Sequence, residues 1–212
     1  MYIAIINYNM GNIRSVENAF KIIGAKVKVT SDIDIISKSS ALVLPGVGAF
    51  RDAMENLGSL GLIDIIRDSV ARKPFLGICL GYQLLFEASA EDGKNVGLGL
   101  FKGIVEKIPP IVKVPHMGWN QVRVIKQDST IFKGIEDKQY FYFVHSYHAV
   151  PADKAIISSI TDHGIEIAAG IERGYTFAFQ FHPEKSSQHG LKLLKNFWNI
   201  TKRGGHDCHT SN

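Results

Sequence analysis

The first half of the chain alternates short apolar runs with amphipathic stretches, and this alternation limits its possible folds more than any other feature. The apolar runs "YIAII", "KVKVT", "ALVLPG" and "FLGI" are bounded by turn residues, which is typical of strands. The stretches between them that predict helices are Asn12 to Ile23, Ala49 to Val70 and Cys79 to Ala88. Strands that alternate with helices predict an α/β fold with a mostly parallel sheet.

The second half is different, because strand-like runs follow one another there and Gly, Asp or Pro separates many of them. These runs favour antiparallel pairing, and a last helix is predicted in "GLKLLKNFWNI". The runs are "LFKGIVEKI", "WNQVRVI", "QYFYFVHSYHAV", "AIISSIT", "EIAAGIERG" and "TFAFQF". A chain of 212 residues suits one domain with a sizeable core. We expect this domain to span residues 1–202, followed by a mobile polar tail at 203–212.

Composition and charge argue against several classes of function. The net charge is +4, but the lysines and arginines are scattered singly or in pairs, so we expect no nucleic-acid surface. No stretch approaches the roughly 20 apolar residues of a membrane span, and the N-terminus has no basic start, so we expect neither membrane insertion nor export. Two cysteines, Cys79 and Cys208, cannot make a disulfide framework, which favours a reducing cytoplasm.

The segment "GICLG", from Gly77 to Gly81, places a cysteine between two glycines where an apolar run meets a predicted helix. This is the glycine spacing of a nucleophile elbow, in which the nucleophile occupies a strained turn and neighbours without side chains avoid clashes. The helix N-terminus supports a Cys79 thiolate, and the amide of Leu80 can point at a developing oxyanion. A buried cysteine of the core is the alternative, since five residues match by chance fairly often.

A cysteine nucleophile needs a base and a group that orients the base. Of the eight histidines, His182 stands out, because it follows the strand "TFAFQF" and precedes Pro183 and Glu184. In extended backbone, residues two apart point to the same side, so Glu184 can bond one ring nitrogen and leave the other facing a thiol. Cysteine, histidine and glutamate then make a complete catalytic set.

The segments "PFLGICLGYQ" and "FQFHPEKS" together resemble the class I glutamine amidotransferases. The resemblance implies a three-layer, flavodoxin-like α/β fold with a mixed, mostly parallel central sheet and an additional antiparallel β portion. It also implies that Cys79 attacks the side-chain amide of glutamine, that His182 shuttles protons and that Glu184 orients His182. Ammonia leaves first, and water then releases glutamate from a thioester. This chemistry requires no cofactor and no metal.

The segment "LPGVGAF", Leu44 to Phe50, predicts a strand followed by a glycine-rich turn into a helix. A dinucleotide site is rejected, because Arg51 occupies the sixth position of the fingerprint instead of glycine. By resemblance, the amide of Val47 is the second oxyanion donor beside that of Leu80. The resemblance also assigns glutamine binding to Gly48, Gln83, Glu91 and the backbone of His145, Ser146 and Tyr147. Without it, "FVHSYH" indicates a strand with satisfied histidines.

The segment "VPHMGWNQV", Val114 to Val122, contains a Met and a Trp that would form a partner surface if they lie exposed in a loop. A buried aromatic of the core is the alternative. By resemblance, the element is typical of the glutaminase subunits of imidazole glycerol phosphate synthase, which form heterodimers with a (β/α)8-barrel cyclase. A sealed channel is then expected, because ammonia released into water becomes protonated. The expected interface residues are Asn12, Ser15, Met117, Trp119 and Lys185.

Three other interpretations remain open at this point. A paralogous glutaminase with the same triad could feed ammonia to an enzyme that modifies a sugar for a surface polysaccharide. Cysteine hydrolases or chaperone-like proteins of similar fold usually carry histidine directly after the elbow cysteine, where this chain has Leu80. A non-catalytic binding module would use Cys79 as a structural thiol. The tail segment "HDCH" contains metal-ligand residue types, but we expect no metal site there.

Overall fold

The computed structural model describes residues 1–207. Its helices are α1 (Ile13–Ile22), α2 (Ile33–Ser37), α3 (Phe50–Ser59), α4 (Leu62–Arg72), α5 (Leu80–Gln83) and α6 (Ser187–Asp207), with 3₁₀ turns at Lys154–Ile156 and Pro183–Lys185. Its strands are β1 (Ile3–Ile6), β2 (Val27–Thr30), β3 (Ala41–Gly46), β4 (Phe75–Cys79), β5 (Phe86–Ser89), β6 (Asn95–Val96), β7 (Phe101–Lys107), β8 (His116–Val124), β9 (Gln139–His145), β10 (Tyr147–Pro151), β11 (Ile157–Asp162), β12 (Glu166–Arg173) and β13 (Thr176–Phe179).

The central sheet has nine strands in the order β2-β1-β3-β4-β13-β12-β11-β8-β9. Pairing is parallel from β2 to β13 and antiparallel from β13 to β9. The mixed α/β sheet is therefore confirmed, with its antiparallel part in the second half of the chain as predicted. The carboxyl ends of β3, β4 and β13 lie next to one another, so the segments that follow them meet at one edge of the sheet.

Two apolar cores cover the two faces of this sheet. Helices α1 and α6 pack on one face, where Phe20 meets Phe197 with ring centroids 6.3 Å apart. Helices α2, α3 and α4 and the small second sheet cover the other face, with Leu57, Ile66 and Phe86 fully buried. Burial of each such side chain stabilises the fold by about 1.5–3 kcal/mol. The result is a three-layer arrangement.

The prediction of a helix from Cys79 to Ala88 is wrong beyond Gln83. The chain turns after α5 and enters β5, which pairs with β6 and β7 in the four-stranded sheet β10-β7-β5-β6. The backbone carbonyls at positions 84–86 accept hydrogen bonds from the amides at 98–101 and not from a continuing helix. Leu84, Leu85 and Phe86 are all fully buried, so this run has no polar face that could distinguish a strand from a helix.

The amphipathic stretch from Ala49 to Val70 is two helices, α3 and α4, and not one. Gly61 separates them in a left-handed conformation with φ +66°, which favours glycine. The short helix α2 was not predicted. It is capped by Asp32, whose Oδ1 accepts hydrogen bonds from the amides of Asp34 and Ile35 at 2.8 and 3.1 Å.

The ends of two other predicted elements also differ. The last helix begins at Ser187 and continues to Asp207, beyond the predicted domain limit at residue 202. Residues 208–212, which include Cys208, lie outside the described residues, so the tail prediction stays a prediction. The run "QYFYFVHSYHAV" is two strands in different sheets, β9 and β10, with the break at Ser146, whose carbonyl accepts from the amide of Ile108 at 2.9 Å.

Candidate active site

Cys79 ends β4, and helix α5 begins at the next residue. Its backbone has φ 54° and ψ −107°, a strained conformation for a residue with a side chain. A Cβ on Gly81 would collide with the carbonyl oxygen of Leu44, and one on Gly77 would lie 2.9 Å from the carbonyl oxygen of Gly81. The glycine spacing of "GICLG" therefore has the steric cause that the sequence predicts, and it places the thiol at the carboxyl edge of the sheet.

His182 and Glu184 form a buried pair. His182 is 1% exposed, and its Nδ1 lies 2.8 Å from Oε1 of Glu184. A carboxylate accepts, so Nδ1 carries a proton, and Nε2 is buried without a bond to any other nitrogen or oxygen of the described chain. Pro183–Lys185 is a 3₁₀ turn, so the contact arises across a turn and not along the extended backbone that the sequence predicts.

Ser186 holds this turn against β9. Its hydroxyl donates to the carbonyl of His182 at 2.6 Å and accepts from the amide of Tyr142 at 3.0 Å. The amide of His182 donates in turn to the carbonyl of Tyr142 at 2.9 Å. Three bonds thus fix the backbone that carries the histidine and the glutamate.

The surroundings of His182 favour its charged form. Burial by itself lowers the pKa of the imidazole, but the negative charge of Cys79, a hydrogen bond to Cys79 and the carboxylate of Glu184 together raise it to about 10. An imidazolium beside a thiolate is the activated state of a cysteine nucleophile.

Cys79 opens into a cleft of about 360 Å³, a size suited to a small molecule. Pro115 and Val144 were not predicted to line it. The cleft is also lined by every residue predicted for the oxyanion site and for glutamine binding, namely Val47, Gly48, Leu80, Gln83, Glu91, His145, Ser146 and Tyr147. Three separate sequence segments therefore converge with the cysteine on one cavity.

The turn after β3 forms one wall of the cleft. Gly48 has φ +107°, and a Cβ there would lie 2.7 Å from Cε of Met10. The amide of Phe50, at the start of α3, donates to Oε2 of Glu91 at 2.7 Å. Glu91 lines the cleft, and its carboxylate holds the segment that follows Val47 and Gly48.

The chain matches the family described as "Glutamine amidotransferase class-I" over residues 4–200. It belongs to the class I glutamine amidotransferases. It is 49% identical to the imidazole glycerol phosphate synthase subunit HisH of Moorella thermoacetica, over 98% of this chain and 99% of the relative. Identity to the subunit of the same name from Aquifex aeolicus is 50%, over 93% of this chain and 96% of the relative. The family resemblance of the two sequence motifs is thereby confirmed.

A solved structure agrees on the fold. A crystal structure of a glutamine amidotransferase superposes with a TM-score of 0.75 at 16% identity, over 95% of this chain and 100% of that chain. At this identity the likeness concerns the fold alone. The predicted amidotransferase fold is confirmed.

Two buried residues of this class I amidotransferase site were not predicted. Gln180 is fully buried, and its Nε2 lies 3.8 Å from Sγ of Cys79. The hydroxyl of Tyr8 donates to the carbonyl of Pro45 at 2.8 Å, and burial together with the charge of Cys79 raises the pKa of that hydroxyl. The amide within the apolar run "TFAFQF" was a usable signal for Gln180, because a buried polar side chain requires partners.

The predicted partner residues lie near the carboxyl edge of the sheet. Met117 and Trp119 are 63% and 52% exposed, but they lie on strand β8 and not in the predicted loop. They share one face of β8, because side chains two apart point the same way. Trp119 meets Tyr142 edge to face at 6.1 Å, and the amine of the exposed Lys185 lies 5.8 Å from the Tyr142 ring.

Helix α1 carries the other two predicted partner residues. Asn12 caps the helix, with Oδ1 accepting from the amide of Ser15 at 3.4 Å. Ser15 also lines a cavity of about 270 Å³ together with Glu184 and Ser187. The start of α1 therefore lies beside Glu184.

Neither a metal site nor a membrane span is found in the part of the chain that the structure describes. Among the side chains that the structure describes, no group of three His, Cys, Asp or Glu has the arrangement of a metal site. The described chain also has no helix that is both long and apolar enough to cross a membrane. The tail segment "HDCH" contains residues outside the described part, so that prediction stays a prediction.

Proposed function

We propose that this chain is the glutaminase subunit of an imidazole glycerol phosphate synthase. The observation that carries the proposal is the thiol of Cys79 at a cleft beside the buried His182 and Glu184 pair. Identity of 49–50% over nearly the whole length of relatives with that name supports the acceptor pathway.

The first half-reaction forms a thioester. The thiolate of Cys79 attacks the carbonyl carbon of the glutamine side-chain amide, and the amides of Val47 and Leu80 stabilise the resulting oxyanion. The imidazolium of His182 donates its Nε2 proton to the departing nitrogen, so the C–N bond breaks and ammonia leaves. His182 is then neutral, and the glutamyl group is bonded to sulfur.

The second half-reaction restores the enzyme. Neutral His182 takes a proton from water at Nε2 while the water oxygen attacks the thioester carbonyl. The C–S bond breaks, the new γ-carboxyl group loses its proton to solvent as glutamate leaves, and the thiolate and imidazolium are regenerated. Glu184 keeps the proton on Nδ1 throughout, so that Nε2 faces the reacting atoms.

Glutamine is held in the cleft beside the thiol. The residues that we assign to its recognition are Gly48, Gln83, Glu91 and the backbone of His145, Ser146 and Tyr147. Their convergence on one cavity supports this assignment. Because the reaction uses a thiol, an imidazole and backbone amides, it requires neither a metal nor an organic cofactor.

The ammonia passes to a cyclase subunit of (β/α)8-barrel type in a cytoplasmic heterodimer. That subunit converts a phosphoribulosyl-formimino ribonucleotide into imidazole glycerol phosphate and an aminoimidazole carboxamide ribotide. A sealed path between the two sites is required, because protonated ammonia is not a nucleophile. The exposed apolar pair on β8 supports an interface that contains Asn12, Ser15, Met117, Trp119 and Lys185.

The direct test measures glutamate release from glutamine by the chain alone, with the cyclase, and with the cyclase and its ribonucleotide ligand. Cys79→Ala is the control. We expect strong stimulation by the liganded cyclase and none in the control. Glutamate release without stimulation would contradict the assignment of the cyclase as the partner and would favour the polysaccharide paralogue. No glutamate release in any mixture would contradict the assignment of glutaminase activity and would favour a binding module.

The partner surface has a separate test. Trp119→Ala removes a large exposed aromatic, and we expect its dissociation constant for the cyclase to rise about 30-fold, the effect of a typical interface hot spot. Tyr175→Ala is the matched control, because Tyr175 is also exposed but precedes β13 at the opposite edge of the sheet. Equal affinities of the two variants would contradict the assignment of β8 to the interface.

A further inference from the structure

A series of hydrogen-bonded polar side chains connects strand β8 to the glutamine cleft. Nδ2 of Asn120 lies 3.1 Å from Nε2 of His116, and Nδ1 of His116 lies 2.9 Å from Nε2 of His145. Nδ1 of His145 lies 2.9 Å from the carbonyl oxygen of Tyr147. Both imidazoles are buried, and His116 and His145 are direct partners in the β8–β9 register.

Backbone carbonyls at both ends fix the direction of every bond in this chain. The Tyr147 carbonyl can only accept, so Nδ1 of His145 donates to it. At the other end, Nδ2 of Asn120 donates to the carbonyl of Asp162 at 2.7 Å and to Nε2 of His116. Nε2 of His116 therefore carries no proton, so Nδ1 of His116 carries it and donates to Nε2 of His145. Both rings are thus neutral, and each has its proton on Nδ1.

The environment of the two rings supports the neutral state. His116 is stacked between Phe143 and His163, with centroids 4.6 and 4.1 Å away. Burial, with the nearby His163, lowers the pKa of His116 to about 4. Burial lowers the pKa of His145 to about 3, although its bond to the Tyr147 carbonyl opposes the shift.

The Tyr147 carbonyl is a junction with the nucleophile. It also accepts from Nε2 of Gln83 at 2.8 Å, and the same nitrogen donates to Oε1 of Gln180 at 3.0 Å. Nε2 of Gln180 then donates toward Sγ of Cys79. Bonded groups thus extend from β8, beside the exposed Met117 and Trp119, to the reacting sulfur.

We propose that His116 and His145 are positioning residues, and that as two neutral Nδ1–H imidazoles they hold the Tyr147 carbonyl and Gln83 in the geometry that binds glutamine. This role rests on the proposed function, because it concerns the glutaminase cleft. The same series of hydrogen bonds joins β8, which we assign to the partner surface, to the cleft.

The first test is independent of activity. Histidine labelled with ¹⁵N in the full-length chain at pH 7 reports which ring nitrogens carry protons, and His116→Asn and His163→Phe assign the signals. We expect Nδ1–H and a bare Nε2 on both His116 and His145. A protonated Nε2 on either ring would overturn the proposal, even if the chain is an active glutaminase.

The second test separates positioning from stability, in the complex with liganded cyclase. His116→Phe fills the site but removes the donor to His145, and we expect the glutamine KM to rise about tenfold with a smaller change in kcat. His116→Asn retains a donor near the place of Nδ1, and we expect it to restore most of the lost affinity. His163→Phe keeps an aromatic ring stacked on His116 but changes none of these hydrogen bonds, so it should leave the glutamine KM unchanged.

The outcomes of this second test are distinct. A normal KM in His116→Phe, or equal losses in His116→Phe and His116→Asn at equal folded fractions, would overturn the positioning role. Failure of the proposed function is different, because the wild-type complex itself would then release no glutamate.

Discussion

His182 and the pair of His116 and His145 are similarly buried, at 1%, 3% and 7% exposure, but their pKa values shift in opposite directions. Burial lowers the pKa of all three imidazoles. Only His182 lies beside acidic side chains, Cys79 and Glu184, and its interactions with these raise its pKa to about 10. His116 and His145 instead bond neutral groups and have pKa values of about 4 and 3.

The difference shows that charged neighbours, and not burial, decide which histidine can take part in acid and base chemistry here. His182 has one nitrogen held by a carboxylate and the other directed to chemistry at Cys79. Both nitrogens of His116 and of His145 are already bonded. A histidine without a free nitrogen can hold geometry but cannot exchange a proton with substrate.

The largest expected effect comes from removing the charge beside His182. Glu184→Gln keeps the shape of the side chain but loses the carboxylate, so the imidazolium is less stable and the ring can adopt the wrong tautomer. We expect kcat to fall by about 10³- to 10⁴-fold, as in other triads that lose this charge. Initial rates of glutamate release with saturating glutamine and liganded cyclase measure it.

Glu172→Gln is the matched control for that variant. Glu172 is also a buried carboxylate, but it accepts from Ser129 and pairs with Lys126 at 3.6 Å, away from the cleft. We expect its kcat to stay near the wild-type value. A Glu184→Gln enzyme within tenfold of wild type would show that the carboxylate does not make His182 different.

The second effect is on stability in acid. His116 and His145 stay neutral in the native state down to about pH 4, whereas histidines in the unfolded chain have a pKa near 6.5 and bind protons below it. The unfolded state therefore binds more protons, and the free energy of unfolding falls as the pH drops from about 6.5 toward 4. The expected slope is up to about 1.4 kcal/mol per pH unit for each histidine. Urea unfolding between pH 7 and 4.5 measures this slope. We expect His116→Asn to reduce the slope by the contribution of one histidine.

His182 has the opposite sign. Its raised pKa contributes stability that is complete below about pH 6.5 and is lost as pH rises toward 10. A Cys79→Ser variant removes the thiolate charge, so we expect a lower His182 pKa in an NMR titration and an unchanged neutral His116. The same pKa for His182 in both proteins would contradict the ion pair.

The smallest expected effect concerns Gln180, which links the catalytic Cys79 to Gln83 and so to the pair of His116 and His145. Gln180→Met removes the donor to Cys79 and the acceptor for Gln83 while it keeps the side-chain length, and we expect kcat to fall about tenfold. Gln188→Met, an exposed change at the start of α6, is the control for handling and folding. Equal rates in these two variants would exclude Gln180 from the active site.

The sequence predicted the local features of the site well. The "GICLG" spacing has a direct steric cause, and the short distance between His182 and Glu184 needs only a turn or a strand. The residues of the cleft came from the family resemblance, because Glu91 and Tyr147 have no local signal that separates them from ordinary surface residues.

The features that the sequence did not predict depend on register between distant segments. His116 meets His145 only because β8 and β9 pair as they do, and Gln180 meets Gln83 only because β13 lies beside β4. Hydrophobic periodicity reports the face of a strand and not its partner. The end of α5 was missed for a related reason, since the residues after it are buried on all sides.

The measurement that tests the catalytic proposal most directly is trapping of the thioester with hydroxylamine in the complex with liganded cyclase. Hydroxylamine competes with water for a glutamyl thioester, so we expect γ-glutamyl hydroxamate at the expense of glutamate, with undiminished ammonia release and no product in Cys79→Ala. Glutamate release that continues without any hydroxamate, or hydroxamate formation that survives in Cys79→Ala, would contradict a covalent intermediate on Cys79.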